Sequence, residues 1–225
     1  METILDKDNC LVVIYRNWIN SEWTKTEGLD AKRLYEICVE KCTNRRIKNY
    51  GDRSFERPRL TYGCADDLLV GTEYPHSEFI LDKWIPEIEY LSGLITKFYH
   101  ETLGYVIYLD SCMINGYVKP TDYIYPHMDR EALGINKPVV TLSLGSSRNL
   151  KFRWSTENKS FTVPLNDGDL LLMYGDTNRK LTHEIKPVSI EENKYEPRYS
   201  LTFRVISPLT EEVTDNLQIP YITKI

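Results

Sequence analysis

Apolar and polar positions along the chain change period twice. Leu11 to Ile14 is a short apolar, β-branched run, which predicts a first strand. From Asp30 the period lengthens: Leu34, Ile37, Cys38 and Cys42 recur at three- and four-residue steps, so Asp30 is read as the cap of an amphipathic helix. Residues 41–60 follow as a basic loop. Helical spacing returns over Lys83–Tyr99, with Pro86 in the first turn and Ile88, Leu91, Ile95 and Phe98 on one side. Beyond residue 104 the period shortens to two. Strands are predicted near 104–110, 112–118, 123–129, 138–144, 149–154, 159–164, 168–174 and 199–206, with turns such as Asn166-Asp167-Gly168-Asp169 between them. Helices ahead of many short strands imply an α+β, mainly β fold: a double-stranded β-helix, or jelly roll, with N-terminal supporting helices. Residues 209–225 turn polar and then carry Ile219, Tyr221 and Ile222, a tail that can dock or fray.

The last predicted strand alternates most strictly. Arg198, Ser200, Thr202 and Arg204 fall on one face; Tyr199, Leu201, Phe203 and Val205 fall on the other. Two cations and two hydroxyls are costly to bury without an anion. A dicarboxylate would suit them, since arginine's planar fork grips a carboxylate through two parallel bonds. A solvent-facing edge strand with incidental arginines would look the same.

Upstream lies His127-Met128-Asp129. On a strand, residues two apart project from one face, so His127 and Asp129 can point at one ion while Met128 turns away. His183 can return on another strand. Two histidines and a carboxylate with open positions form the facial triad of non-haem Fe(II) oxygenases. The triplet alone is common by chance; the arginines downstream give it weight.

Composition narrows the class. A 41% hydrophobic content over 225 residues can build a sizeable core. No stretch approaches the roughly 18 apolar residues of a membrane span. Met1 to Asp8 has neither the basic region nor the apolar core of a signal peptide, so the protein is expected to be intracellular, nuclear or cytoplasmic, and not secreted. Five scattered cysteines suit reduced thiols. The net charge of −5 conceals a local field: residues 41–60 carry seven basic side chains against two acidic ones, with Tyr50 and Phe55 among them. Such a segment can steer phosphates and stack on bases, or be a solvated loop. Arg45, Arg46, Lys48 and Arg53 are candidate contacts to a nucleic-acid backbone, as are Arg148 and Lys151 in a second basic run.

These residues resemble the AlkB family of Fe(II)- and 2-oxoglutarate-dependent nucleic-acid dioxygenases. The likeness runs from about Arg57 to Ile206, two thirds of the chain. It rests on Arg57-Pro58-Arg59-Leu60-Thr61-Tyr62-Gly63, Trp84-Ile85-Pro86, Asn115-Gly116-Tyr117 and the run from Pro138 to Gly145. It continues through Gly168 to Met173, Thr182 to Pro187 and Arg198 to Arg204.

The resemblance implies Fe(II), 2-oxoglutarate and O2 as cofactors, with iron on His127, Asp129 and His183. It places 2-oxoglutarate on Asn115, Tyr117, Arg198 and Arg204, with Arg198 at the distal carboxylate and Arg204 nearer the metal-chelating end. Ser200 stands where many members have Asn, leaving one possible bond. Arg57 to Tyr74 would form a lid with Tyr62 and Tyr74 as stacking partners and Arg59 as a further substrate contact. Glu131 occupies a place where an acidic residue helps read the base. A single 1–225 domain is expected: an N-terminal extension (1–56), a nucleotide-recognition lid (57–82) and a jelly-roll core (100–208). The implied activity is oxidative demethylation of N-alkylated bases in DNA or RNA, releasing formaldehyde and succinate, by a protein expected to be a monomer without membrane attachment. An oxygenase of the same fold acting on a protein or small molecule is the alternative, and a non-catalytic nucleic-acid-binding module is another. Replacing Asp129 by Ala is expected to remove a ligand and leave the fold intact.

Overall fold

The computed structural model describes the chain apart from residues 26–28, 51, 74–79, 105–107, 130–137 and 208–225. Tyr74, Glu131 and the C-terminal tail therefore lie outside the described residues. β1 (Glu2–Lys7) and β2 (Cys10–Tyr15) open the chain, followed by α1 (Glu22–Lys25) and α2 (Ala31–Lys41). β3 (Arg45–Tyr50) and β4 (Arg53–Ala65) form an antiparallel hairpin. After β5 (Asp82–Lys83) and α3 (Pro86–Leu103) come β6 (Ser111–Tyr117), β7 (Ile124–His127), β8 (Val139–Gly145), β9 (Arg148–Trp154), β10 (Ser160–Leu165) and β11 (Leu170–Gly175). The short α4 (Thr177–Lys180), β12 (Leu181–Ile185) and β13 (Arg198–Arg204) follow.

Two sheets result. The larger runs β1-β2-β11-β8-β13-β6-β4-β3 with β5 beside β4; the smaller runs β10-β9-β12-β7. Side-chain alternation gives the larger sheet two different faces. On the outer face Tyr199, Leu201 and Phe203 of β13 join Ile114, Leu142 and Leu172 beneath Leu34, Ile37, Ile88 and Leu91 of α2 and α3. On the inner face Tyr117, Val139, Leu171 and Met173 meet Leu150, Phe152, Leu181 and Ile185 of the smaller sheet. The expected jelly roll with helical support is present, its two sheets closing over one interior.

The helix signals act as expected. The Asp30 carboxylate accepts a bond from the Arg33 amide at 2.7 Å and caps α2. Pro86 occupies the first turn of α3, and Gly104, at φ 67°, takes the left-handed conformation that ends it.

Residues 41–60 differ from the expectation. Most of this supposed loop is the β3–β4 hairpin, which extends the larger sheet beyond β6. Its exposed side chains, Ile47 and Phe55 among them, hide the strand signal because little of it is covered. Of the strand expected at 104–110, residues 105–107 lie outside the described residues; Gly104 is a helix cap, and 108–110 are irregular. Asp110 there accepts bonds from the amides of Ile206 (2.8 Å) and Ser207 (2.9 Å), fixing the end of β13. β2 lies inside the larger sheet against β11, so the N-terminal segment is part of that sheet. Among the described residues no helix is long and apolar enough to cross a membrane.

Leu201 is wholly buried on the helix side of β13. Leu201→Ala should cost about 2–5 kcal/mol in urea unfolding. A loss below about 1 kcal/mol would contradict this packing.

Candidate iron and cosubstrate site

β7 and β12 are antiparallel neighbours on which His127 and His183 stand directly opposite each other. Between His183 and Ile185 the register slips, so that His127 and Ile124 both line the interior cavity while Tyr125 is exposed. A bulge of this kind re-aims a side chain at the cost of one ladder position. Asp129 lies two residues past the end of β7, so its convergence with His127 is made by the chain beyond the strand rather than by strand alternation. The Asp129 oxygens stand 3.6 Å from His127 Nε2 and 3.5 Å from His183 Nε2. Ligand atoms of the three residues all lie within 4.8 Å of one another.

The protonation states suit a cation. His127 Nδ1 is 2.9 Å from the Tyr125 carbonyl, which can only accept, so the proton sits on Nδ1 and the Nε2 lone pair is free. Burial pushes the His183 pKa down to about 3, helped by neighbouring His127. Burial likewise lowers the His127 pKa, against the pull of Asp129. For Asp129, burial acts to raise the pKa, but neighbouring groups, the Arg204 guanidinium foremost, outweigh it and the carboxyl is held below its ordinary value. Two neutral imidazoles and a carboxylate thus aim lone pairs at one point. Asp129 Oδ2 is buried without a hydrogen-bond partner. Converging acceptors repel unless a cation lies between them, so the residues present fit a divalent metal such as Fe(II).

The inner face of β13 completes the cavity. Arg204 Nη2 pairs with Asp129 Oδ1 at 2.7 Å. Arg198 is only 1% exposed and donates to Ser143 Oγ at 2.9 Å, while its guanidinium carbon lies 5.4 Å from the Tyr117 ring centroid. Its Nε has no partner, and among the described residues no carboxylate pairs with it. Such a cation fits an anionic ligand. Asn115, Tyr117 and Ser200 line the same cavity. Asn115 Oδ1 accepts from Arg59 Nε at 2.7 Å, which brings Arg59 to the inner face as well. Thr202 lines it as the strand's polar face predicts, and Ser143 and Thr141 also line it or touch its cations, beyond the residues that the sequence singles out. Polar residues at alternate positions of the apolar run Val139–Gly145 are the available signal.

Other candidates stand elsewhere. Tyr62 pairs in register with Ile114 and packs into the helix-side core, so parity puts it on the opposite face of the sheet from the metal cluster. Arg45 is held at 2.8 Å by Asp122, which also accepts from the amides of Val118 and Lys119. Arg148 is buried and bonds to internal carbonyls, so it presents no charge to a nucleic-acid backbone. Arg46 is half-buried, and Lys151 stands opposite Glu184 on the partly exposed side of β9. Lys48 and Arg53 lie on the hairpin strands, but their side chains fall outside the described residues.

A jelly roll carrying this cluster is built to hold a divalent metal in its interior. Residues 11–204 match the model of the 2OG-Fe(II) oxygenase superfamily, to which the chain belongs. Its relatives include AlkB proteins. The chain is 29% identical over 181 residues to the DNA oxidative demethylase ALKBH2 of Bos taurus, covering 75% of this chain and 60% of that protein. It is 27% identical over 188 residues to the human alpha-ketoglutarate-dependent dioxygenase alkB homolog 3, covering 78% and 61%. It thus spans about three fifths of the length of these curated relatives. The solved structure of OsALKBH1 shares the fold with a TM-score of 0.61 at 17% identity, covering 86% of this chain and 97% of that one.

Unfolded histidine titrates near 6.5, whereas folded His183 titrates near 3, so the unfolded state binds the extra proton between these values. The metal-free protein should hold constant stability just above pH 6.5 and lose it progressively toward pH 3, and His183→Gln should flatten that fall in urea midpoints. An equally steep fall in the variant would contradict the buried neutral imidazole. Asp129→Ala should also do more than remove a ligand, contrary to the expectation from sequence. It removes the carboxylate that Arg204 pairs with, so a loss of about 3–5 kcal/mol should accompany the loss of metal binding. Full stability in that variant would refute the Arg204–Asp129 pair.

Proposed function

We propose that the protein removes N-linked methyl groups from bases of DNA or RNA by Fe(II)- and 2-oxoglutarate-dependent oxidation. The observation that carries this is Arg198, a buried guanidinium without a carboxylate partner among the described residues, lining the same cavity as His127, Asp129 and His183. In this reading the two Nε2 atoms and Asp129 hold iron. Arg198, steadied by Ser143 and Tyr117, takes the far carboxylate of 2-oxoglutarate. Arg204 keeps Asp129 ionised, and Asn115 and Ser200 line the cosubstrate's path. When bound, iron and 2-oxoglutarate supply the oxidation: dioxygen is consumed, succinate and carbon dioxide form, and a methyl C–H becomes C–OH. The N-hydroxymethyl group then parts as formaldehyde, leaving the restored base.

The relatives named above support a nucleic-acid substrate, as does the β3–β4 hairpin. Ile47 and Phe55 are 57% and 52% exposed on strands that also carry Arg46, Lys48 and Arg53. Phe55 pairs in register with Lys48 and Ile47 with Glu56, and an exposed aromatic on a basic hairpin suits a base beside phosphates. A base in a duplex would have to leave the stack to reach so enclosed a centre. A single domain acting as a monomer inside a cell belongs to the same proposal, supported there by five free, buried cysteines.

The test is incubation with Fe(II), ascorbate, 2-oxoglutarate and methylated DNA and RNA oligonucleotides, read by mass spectrometry. Loss of a methyl mass from at least one oligonucleotide, with stoichiometric succinate, is expected. Succinate formation with every oligonucleotide intact would overturn the nucleic-acid assignment and favour a protein or small-molecule substrate.

A further inference from the structure

Arg148 reads from the sequence as a surface cation, yet it is 3% exposed between the two sheets. Its Nη2 donates to the carbonyls of Asp122 (2.8 Å) and Lys186, and its Nη1 to the Tyr195 hydroxyl at 2.8 Å. Nε has no partner, and among the described residues no carboxylate pairs with the group. Carbonyl dipoles orient a guanidinium but do not cancel its charge.

The position of that charge is informative. The Arg148 guanidinium carbon lies 5.4 Å from the Tyr117 ring centroid, the same distance at which Arg198 stands from that ring. One buried tyrosine is therefore shared by two cations. The Tyr195 hydroxyl that accepts from Arg148 lies 3.0 Å from the Tyr117 carbonyl, to which it donates. Arg148 thus reaches Tyr117 both through its ring and through its backbone. Two unneutralised guanidinium groups in one low-dielectric space repel each other, and a ligand carboxylate placed beside Arg198 would relieve both. Burial first, and Arg148 among the neighbouring charges, pull the Arg198 pKa below its ordinary value.

We propose that Arg148 is a positioning residue for the cosubstrate: it sets Tyr117 against Arg198 and supplies a second buried positive charge that favours a ligand with a far carboxylate. The inference rests on the assignment of Arg198 to that carboxylate, and the experiment separates the two. Protein loaded with Mn(II) under anaerobic conditions is titrated calorimetrically with 2-oxoglutarate, then with 2-oxobutanoate, which keeps the keto acid but lacks the far carboxylate. Arg148→Gln should weaken 2-oxoglutarate about tenfold and leave 2-oxobutanoate unchanged. Arg148→Lys, which keeps the charge and loses the fork, should weaken 2-oxoglutarate about threefold, and this variant carries the test if the Gln variant does not fold. Equal weakening of both ligands would reduce Arg148 to a structural residue, and no change in either would overturn its role. Arg198→Gln serves as the control: if it leaves the preference for 2-oxoglutarate intact, the cosubstrate assignment itself fails, whatever Arg148 does.

Discussion

Arg198 and Arg204 occupy the same face of the same strand, and both are buried. They differ in what neutralises them. Arg204 has Asp129 at 2.7 Å, whereas Arg198 has a serine hydroxyl, a tyrosine ring and no carboxylate among the described residues. Burying a cation without a counterion costs several kcal/mol, so a fold that does this at the centre of its larger sheet is complete only with an anion in place. On the proposed assignment, 2-oxoglutarate would be part of the interior charge balance as well as a reactant.

The same strand links that charge balance to the packing. Tyr199, Leu201 and Phe203 anchor β13 to α2 and α3, while the four polar residues of the strand face the smaller sheet. Because neighbours in register share a face, Ser200 stands beside Asn115 and Ser143, and Arg198 beside Tyr117. A cavity built this way inherits its precision from the sheet. His183 is placed by the same means in the smaller sheet, opposite His127, so the two sheets bring the metal cluster and the arginines together across one interior.

Much of this is legible in the sequence. The alternation of Arg198 to Arg204 predicts both the strand and its polar face, and His127, Asp129 and His183 do converge. What is not legible depends on parity and on neighbours remote in sequence. Tyr62 lies in the motif that carries the family resemblance, yet its register with Ile114 turns it toward the helices. Arg45 and Arg148 look like surface cations in a basic run, and only the fold reveals that Asp122 offers a carboxylate to one and a backbone carbonyl to the other. The hairpin reads as a loop because its exposed strands lack the apolar alternation that burial imposes. The bulge before His127 leaves no compositional mark, since it is set by pairing with β12.

An anaerobic crystal structure of the protein with Fe(II) and 2-oxoglutarate would show directly what neutralises Arg198. Iron is expected on His127 Nε2, His183 Nε2 and an Asp129 oxygen, with the far carboxylate of 2-oxoglutarate held by the Arg198 fork. Iron bound elsewhere, or a cosubstrate whose far carboxylate leaves Arg198 without an anion, would contradict that arrangement.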